Sequence, residues 1–340
     1  MTAFLRAIEC AFPDGVLSTE KLSQDYPAWG VEKIERNTGI RERRIAAPQE
    51  CASDLAAAAA EKLFASGACR REEIDFLLLC TQTPDYFLPP TACLLQHRLG
   101  LARNTGSFDF NLGSSGYVYG LGVAQGLIDT GQASNVLLLT ADTYSKLLHP
   151  LDRSVRTIFG DGATATWISR AGPGGLIQGP YVYGTDGEGG PNLIVSAGAF
   201  RTPRSAETSQ ESTDESGNIR SADHLYMSGV EIFAFTLRVV PRLVREILEK
   251  AALGWDDIDV VIFHQANRQM LEHLRRSLRI PEAKFHICVE QYGNTVSCTI
   301  PIALDDALRK GRIQDGSRVM LAGFGVGYSW GATILRWQAA

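Results

Sequence analysis

The chain has 340 residues, of which 45% are hydrophobic and 21% charged, with a formal net charge of -5 at pH 7. That length suits one large α/β core or two domains of ordinary size, and so mild a charge argues against nucleic acid as the main partner. The start, "MTAFLRAIECAFPDG", lacks a basic segment before an apolar run and lacks a small-residue cleavage site, so a cytoplasmic address is expected.

In chain order, "FASGACRREEIDFLLLCTQT" (64–83) reads as a helix end, an acidic turn and a strand buried on both faces. "DFNLGSSGYVYG" (109–120) then runs from a strand end through a small-residue turn into a helix. The stretch Phe110–Ile128 carries no charge, yet its five glycines, two serines, Asn111 and Gln125 predict a packed internal helix rather than a membrane span. "SNVLLLTA" (134–141) and "GATATWI" (162–168) read as strands. Gly and Pro interrupt the pattern in "SRAGPGG" (169–175), which places a boundary between halves 1–172 and 173–340.

The second half repeats the first. "LEKAALGWDDIDVVIFHQAN" (248–267) matches 64–83 without a gap, so that His264 stands where Cys80 does. "SRVMLAGF" (317–324) echoes 134–141, and "GATILRW" (331–337) echoes 162–168. Each half is expected to run helix, strand, helix, strand, strand, and the two to pack as pseudo-symmetric α/β layers. Residues 203–223, nearly devoid of bulky apolar side chains, predict a solvated or mobile loop, either a flap or a disordered excursion. Seven scattered cysteines without CxxC spacing predict reduced, mostly buried thiols and no metal site.

Chemistry gathers at expected strand ends: Ser114 in "NLGSSG", His264 in "FHQAN", Asn294 in "YGNTVSC", and the turn "GFGVGYSWG" (323–331). Each has a plain alternative: a small residue in a tight turn, a satisfied core histidine, a turn asparagine. A histidine closing an apolar strand favours function, because sites in α/β folds open at the carboxyl ends of strands.

"NTGIRERRIA" (37–46), "FGDGA" (159–163), "FHQAN", "GNT" (293–295) and "GFGVGYSWGA" (323–332), in this order, resemble β-ketoacyl-acyl-carrier-protein synthase III, a family of the thiolase superfamily. The resemblance implies a thiolase-like five-layered αβαβα fold, a homodimer, and a catalytic set of Ser114, His264 and Asn294. The backbone amides of Ser114 and Val326 would form the oxyanion hole. The family's nucleophile is usually cysteine. A serine there implies either a natural serine acyltransferase serving a hydroxyl or amine acceptor, or a Cys-to-Ser replacement that traps a substrate; a catalytically silent partner subunit is the alternative of another class. No cofactor is implied: the substrates would be an acyl-CoA or acyl-carrier-protein thioester and a malonyl thioester, condensed with loss of CO2.

Arg153 matches one side of the family's adenine clamp, but Lys33 and Asn37 replace the tryptophan and arginine of the other side, which admits a carrier-bound donor. Leu88 matches a position lining the acyl pocket of the partner subunit. Arg268, with Arg275, Arg276 and Arg279, makes a basic helix face for an acidic carrier protein.

Overall fold

The computed structural model describes residues 3–338. Nine strands form its main sheet: β1 (Ala3–Ala11), β2 (Phe76–Cys80), β3 (Gly106–Phe110), β4 (Asn135–Asp142), β5 (Gly162–Ser169), β6 (Gly174–Thr185), β7 (Val260–Phe263), β8 (Arg318–Gly325) and β9 (Ser329–Gln338). Their order is β7-β8-β9-β6-β1-β5-β4-β2-β3.

The repetition in sequence is also a repetition in pairing. β2 runs parallel to β4, β4 antiparallel to β5, and β5 antiparallel to β1. Likewise β7 runs parallel to β8, β8 antiparallel to β9, and β9 antiparallel to β6. The outermost strand β3, parallel to β2, is matched in the second set by a single parallel bridge between Val261 and Phe285. The two sets join where Ala3–Leu5 of β1 pairs with Gly175–Ile177 of β6.

Helices fill the spaces between and outside the sheets. Helix Gly116–Asp129 touches β2 and β4 on one side and β6, β8 and β9 on the other, while helix Thr299–Arg309 touches β7 and β8 and, across the gap, β1 and β5. Their apolar side chains form one central core with Leu78, Leu138, Ile262 and Leu321. Helix Ala52–Ala65 covers the outer face of one set and helix Gly229–Ala251 that of the other, each over its own apolar cluster. These are the five αβαβα layers of a thiolase-like α/β fold. Close packing explains the uncharged, glycine-rich inner helix: a Cβ on Gly116 would overlap Cys80 Sγ. Among the described residues no helix is long and apolar enough to cross a membrane.

Three expectations need correction. The first half contains an additional strand and helix, because β3 and helix Gly116–Asp129 intervene between helix Thr91–Arg98 and β4. Residues 203–223 are exposed over much of their length but folded: Ser212–Thr213 pairs with Ile219–Arg220, and Arg220 bridges Asp152 at 3.1 Å and Asp214 at 2.6 Å. Polar composition predicted solvation correctly but missed these ion pairs, of which Arg220–Asp152 pins the hairpin to the start of the helix Arg153–Arg156. Of the seven cysteines, all free, only Cys69, Cys80 and Cys298 are buried; Cys93 is exposed.

Candidate active site

Ser114 sits in the turn between β3 and helix Gly116–Asp129 and is 8% exposed. The first N–H groups of a helix lack intrahelical acceptors, and the helix dipole favours negative charge there. The turn 325–327 closes over it so tightly that a Cβ on Gly325 would lie 3.1 Å from Ser114 Oγ. Neighbouring Ser115 is fully buried and hydrogen-bonded to Ser329 at 2.7 Å; Ser329 in turn donates to Val326 O at 3.0 Å. Ser115 therefore tethers the turn that carries Val326.

His264 follows β7, its amide donating to Ala322 O at 2.8 Å. Its Nδ1 lies 2.7 Å from Thr299 Oγ1, which itself donates to Val296 O at 3.1 Å. Phe324 packs edge-on to the imidazole with ring centroids 5.7 Å apart. Burial pushes the histidine pKa down to about 3, so the ring is neutral at physiological pH.

Asn294 is held by its backbone against 158–160: its amide donates to Ile158 O at 2.9 Å, and its carbonyl accepts from Gly160 N at 3.0 Å. Its Oδ1 accepts from Val296 N at 2.9 Å, leaving Nδ2 to face His264 Nε2 at 3.5 Å. Val296 adopts φ 57°, a left-handed conformation that is costly for a β-branched residue and that the asparagine turn sustains.

Behind this loop Asp142, fully buried at the end of β4, accepts from the amides of Gln82 at 2.8 Å and Ser297 at 3.2 Å, and from the Ser297 hydroxyl. Desolvation raises its pKa to about 7. Asp142 thus ties the asparagine loop, contributed by the second half, to the first half.

Ser114, His264, Asn294 and Val326 line one apolar cavity of about 610 Å³, with Tyr144, Phe159 and Phe233 among its walls. Leu88, Arg153 and Arg268 are outside that lining. Leu88 is 78% exposed beside the exposed Tyr86 and Phe87. The Arg153 guanidinium lies 5.3 Å from the Trp29 ring centroid and donates to Ser216 O, while Lys33 Nζ lies 4.7 Å from the same ring. Trp29, four residues before Lys33 and ahead of the helix Val31–Thr38, escaped the motif comparison because it is displaced in sequence. On the helix expected to be basic, Arg268 pairs with Glu290 at 3.5 Å, and both Arg275 and Arg276 approach Glu272. Thr299, Ser297 and Asp142 were not foreseen; Thr299 and Ser297 lie just beyond the "GNT" motif, but only the folded loop shows what they hold.

Residues 108–187 match the family model for 3-oxoacyl-[acyl-carrier-protein] synthase III, and residues 248–337 match the model for its C-terminal part. A β-ketoacyl-[acyl-carrier-protein] synthase III from Caldanaerobacter subterraneus subsp. tengcongensis is 38% identical over 329 residues, covering 96% of this chain and 95% of the relative. A crystal structure of a 3-oxoacyl-(acyl-carrier-protein) synthase III superposes with a TM-score of 0.97 at 53% identity, covering 99% of this chain and 100% of the other. The corresponding synthase from Burkholderia xenovorans LB400 gives a TM-score of 0.90 at 35% identity, covering 99% and 95% of the two chains. Sequence and fold agree along nearly the whole length, and the chain belongs to the 3-oxoacyl-[acyl-carrier-protein] synthase III family of acyltransferases, within the thiolase superfamily.

Proposed function

We propose that the enzyme transfers an acyl group from a CoA or carrier-protein thioester to Ser114 and condenses it with a malonyl thioester. The observation that carries this reading is the convergence of Ser114, His264 and Asn294 on one apolar cavity. In the first step the Ser114 Oγ–C bond forms, the C–S bond breaks, and the hydroxyl proton passes through His264 Nε2 to the departing thiolate. The developing oxyanion sits against the amides of Ser114 and Val326. In the second step the malonyl carboxylate leaves as CO2 and the carbanion attacks the acyl carbon; the new C–C bond forms, the acyl C–Oγ bond to Ser114 breaks, and the serine oxygen takes up a proton from solvent through His264 Nε2. Asn294 Nδ2 donates to the thioester oxygen as enolate charge develops, an interaction stronger in the transition state than in the ground state.

Serine is a handicap in both steps. A hydroxyl stays protonated at neutral pH and needs a base, and a deeply buried imidazole is a weak one. The acyl-serine is also an oxygen ester, less reactive than a thioester toward a carbanion. Serine itself therefore supports a second reading, transfer to a hydroxyl or amine acceptor, and equally fits a Cys-to-Ser replacement that holds substrate in place. Incubation with acyl-CoA or acyl carrier protein, then intact-mass analysis and peptide mapping, tests the common step; the absence of an adduct on Ser114 with any donor refutes it. Product formation from malonyl carrier protein against hydroxyl and amine acceptors separates the two readings. Turnover unchanged by His264→Ala in a complex reconstituted with an active partner subunit would instead support a silent subunit.

The engagement of Arg153 by Trp29 and Ser216 supports a carrier-bound donor alongside CoA. Arg268 is the proposed contact for the acidic carrier. Exposed Tyr86, Phe87 and Leu88 adjoin exposed Phe200, whose ring centroid is 5.5 Å from that of Phe87; an apolar patch of this kind supports a homodimer in which Leu88 reaches the partner's cavity. Free cysteines throughout support a reducing, cytoplasmic setting.

A further inference from the structure

The second half holds a cluster of metal-ligating side chains outside the catalytic cavity. A ring nitrogen of His286, the Cys288 thiol and an Asp306 carboxylate oxygen all lie within 4.8 Å of one another. His286 and Cys288 stand just after the parallel bridge between Val261 and Phe285, at an i, i+2 spacing that suits one side of an extended segment. Asp306 comes from helix Thr299–Arg309, packed against them.

Three donors converge on the Asp306 carboxylate. His286 Nε2 and Lys310 Nζ each lie 2.9 Å from Oδ2, and the Cys288 thiol is the third. His286 is 2% exposed, yet its Nδ1 has no hydrogen-bond partner among the described residues. Buried polar groups are ordinarily satisfied. Here no protein group fixes the ring tautomer, and Nε2 can present its lone pair toward Asp306. The Asp306 side chain is partly exposed and lines an open cleft of about 340 Å³ beside Cys10 and Tyr292, which gives an ion a way in.

We propose that His286, Cys288 and Asp306 bind one Zn2+ ion, with solvent as fourth ligand, and that the ion staples the 286–288 segment to helix Thr299–Arg309. Tetrahedral zinc, with bonds of about 2.0–2.3 Å, sets its ligand atoms roughly 3.3–3.7 Å apart, so the cluster needs shifts of about 1 Å. Imidazole, thiolate and carboxylate together select zinc over magnesium and calcium, which take oxygen ligands. The Zn–S bond forms as the Cys288 thiol releases its proton to solvent. The Zn–N bond forms as the ring proton moves from Nε2 to Nδ1, and exposed Lys310 turns away from Asp306. The staple spans both supports of the catalytic histidine: the Cys288 amide donates to Gln265 Oε1 at 2.7 Å, next to His264, and the helix begins with Thr299, which meets His264 Nδ1. It takes no part in acyl transfer. Cysteine spacing alone argued against a metal site, because the ligands come from two elements that only folding joins.

The test strips the full-length protein with a chelator and titrates it with Co2+, a spectroscopic substitute for Zn2+, and then with Zn2+. The expected result is one equivalent of Co2+ giving a sulfur-to-cobalt charge-transfer band and the visible bands of a tetrahedral ion, both erased by Zn2+. Zinc should also raise the thermal midpoint by a few degrees. Cys288→Ser should abolish the charge-transfer band, whereas Cys10→Ser, at the thiol lining the adjoining cleft, should retain it. Asp306→Asn, at a partly exposed position, should weaken Co2+ binding by at least about tenfold and keeps the test open if Cys288→Ser does not fold. A sulfur band that survives in Cys288→Ser, wild-type affinity in Asp306→Asn, or a midpoint indifferent to zinc overturns the proposal. So does an octahedral spectrum with no sulfur band.

Discussion

His264 Nδ1 lies 2.7 Å from the Thr299 hydroxyl, whose own hydrogen is directed to Val296 O at 3.1 Å. With that hydrogen already placed, Thr299 receives one from the imidazole, and the ring carries its proton on Nδ1. Nε2 is left as a lone pair facing Asn294 Nδ2 and the cavity, in position to take the Ser114 proton. Thr299 is thus a positioning residue. Thr299→Val should remove the acceptor and move the ring proton to Nε2, slowing Ser114 acylation by about a hundredfold, whereas Thr299→Ser should retain the rate. Nitrogen NMR of labelled histidine checks the tautomer directly, and a valine variant with wild-type shifts would count against this assignment.

Asn294 presents its amide in a fixed sense because Val296 N occupies Oδ1. Asn294→Asp keeps that acceptor but turns a donor toward the cavity into a carboxylate oxygen. Release of CO2 from malonyl thioester should fall by at least about a hundredfold, while the fold, judged by thermal melting, remains. Equal CO2 release by both forms would show that the amide does not meet the enolate.

The layers were readable because apolar runs such as "DFLLLC" and "DVVIFH" are short, suit strands buried on both faces, and recur in the same order in both halves. His264 was readable because it closes such a strand and Ser114 because it follows β3, whereas Asn294, expected at a strand end, lies in a loop that no strand leads into and was readable only from its motif. What stayed hidden depends on contacts between segments far apart in the chain. Asp142 looks like an ordinary strand terminus until Ser297, 155 residues later, folds onto it. Trp29 is invisible to a motif but adjacent in space to Arg153.

Two buried groups give the stability a pH dependence with opposing parts. His264 has a folded pKa of about 3, below its unfolded value of about 6.5, so its contribution is complete above pH 6.5 and is lost as pH falls toward 3. Asp142 has a folded pKa of about 7, above its unfolded value of about 3.9; its contribution is complete below that value and is lost as pH rises through 7. Between pH 4 and 6.5 the two slopes largely cancel, each approaching about 1.4 kcal/mol per pH unit at its steepest. Asp142→Asn should therefore make stability rise more steeply with pH across this window, as read from urea midpoints at pH 4.5, 5.5 and 6.5. The same neutral imidazole should leave condensation without an acid limb near pH 6.5, and such a limb assigned to His264 by its loss in His264→Ala would contradict the burial argument.

The choice of serine at position 114 has its own kinetic consequence. A thiol in this turn, at the start of helix Gly116–Asp129, would ionise near neutral pH with help from the helix dipole, and it would need little from a base as weak as the buried His264. Its acyl thioester would also be the better electrophile for a carbanion. Ser114→Cys should therefore raise acylation and condensation with malonyl carrier protein by more than about tenfold, a barrier change of about 1.4 kcal/mol. Transfer to hydroxyl or amine acceptors, for which an ester is already adequate, should gain less. Single-turnover measurement of each half-reaction separates the effects. A cysteine form that condenses no faster than the serine form would mean that the cavity is adapted to an oxygen ester, and would favour transfer to a hydroxyl or amine as the native reaction.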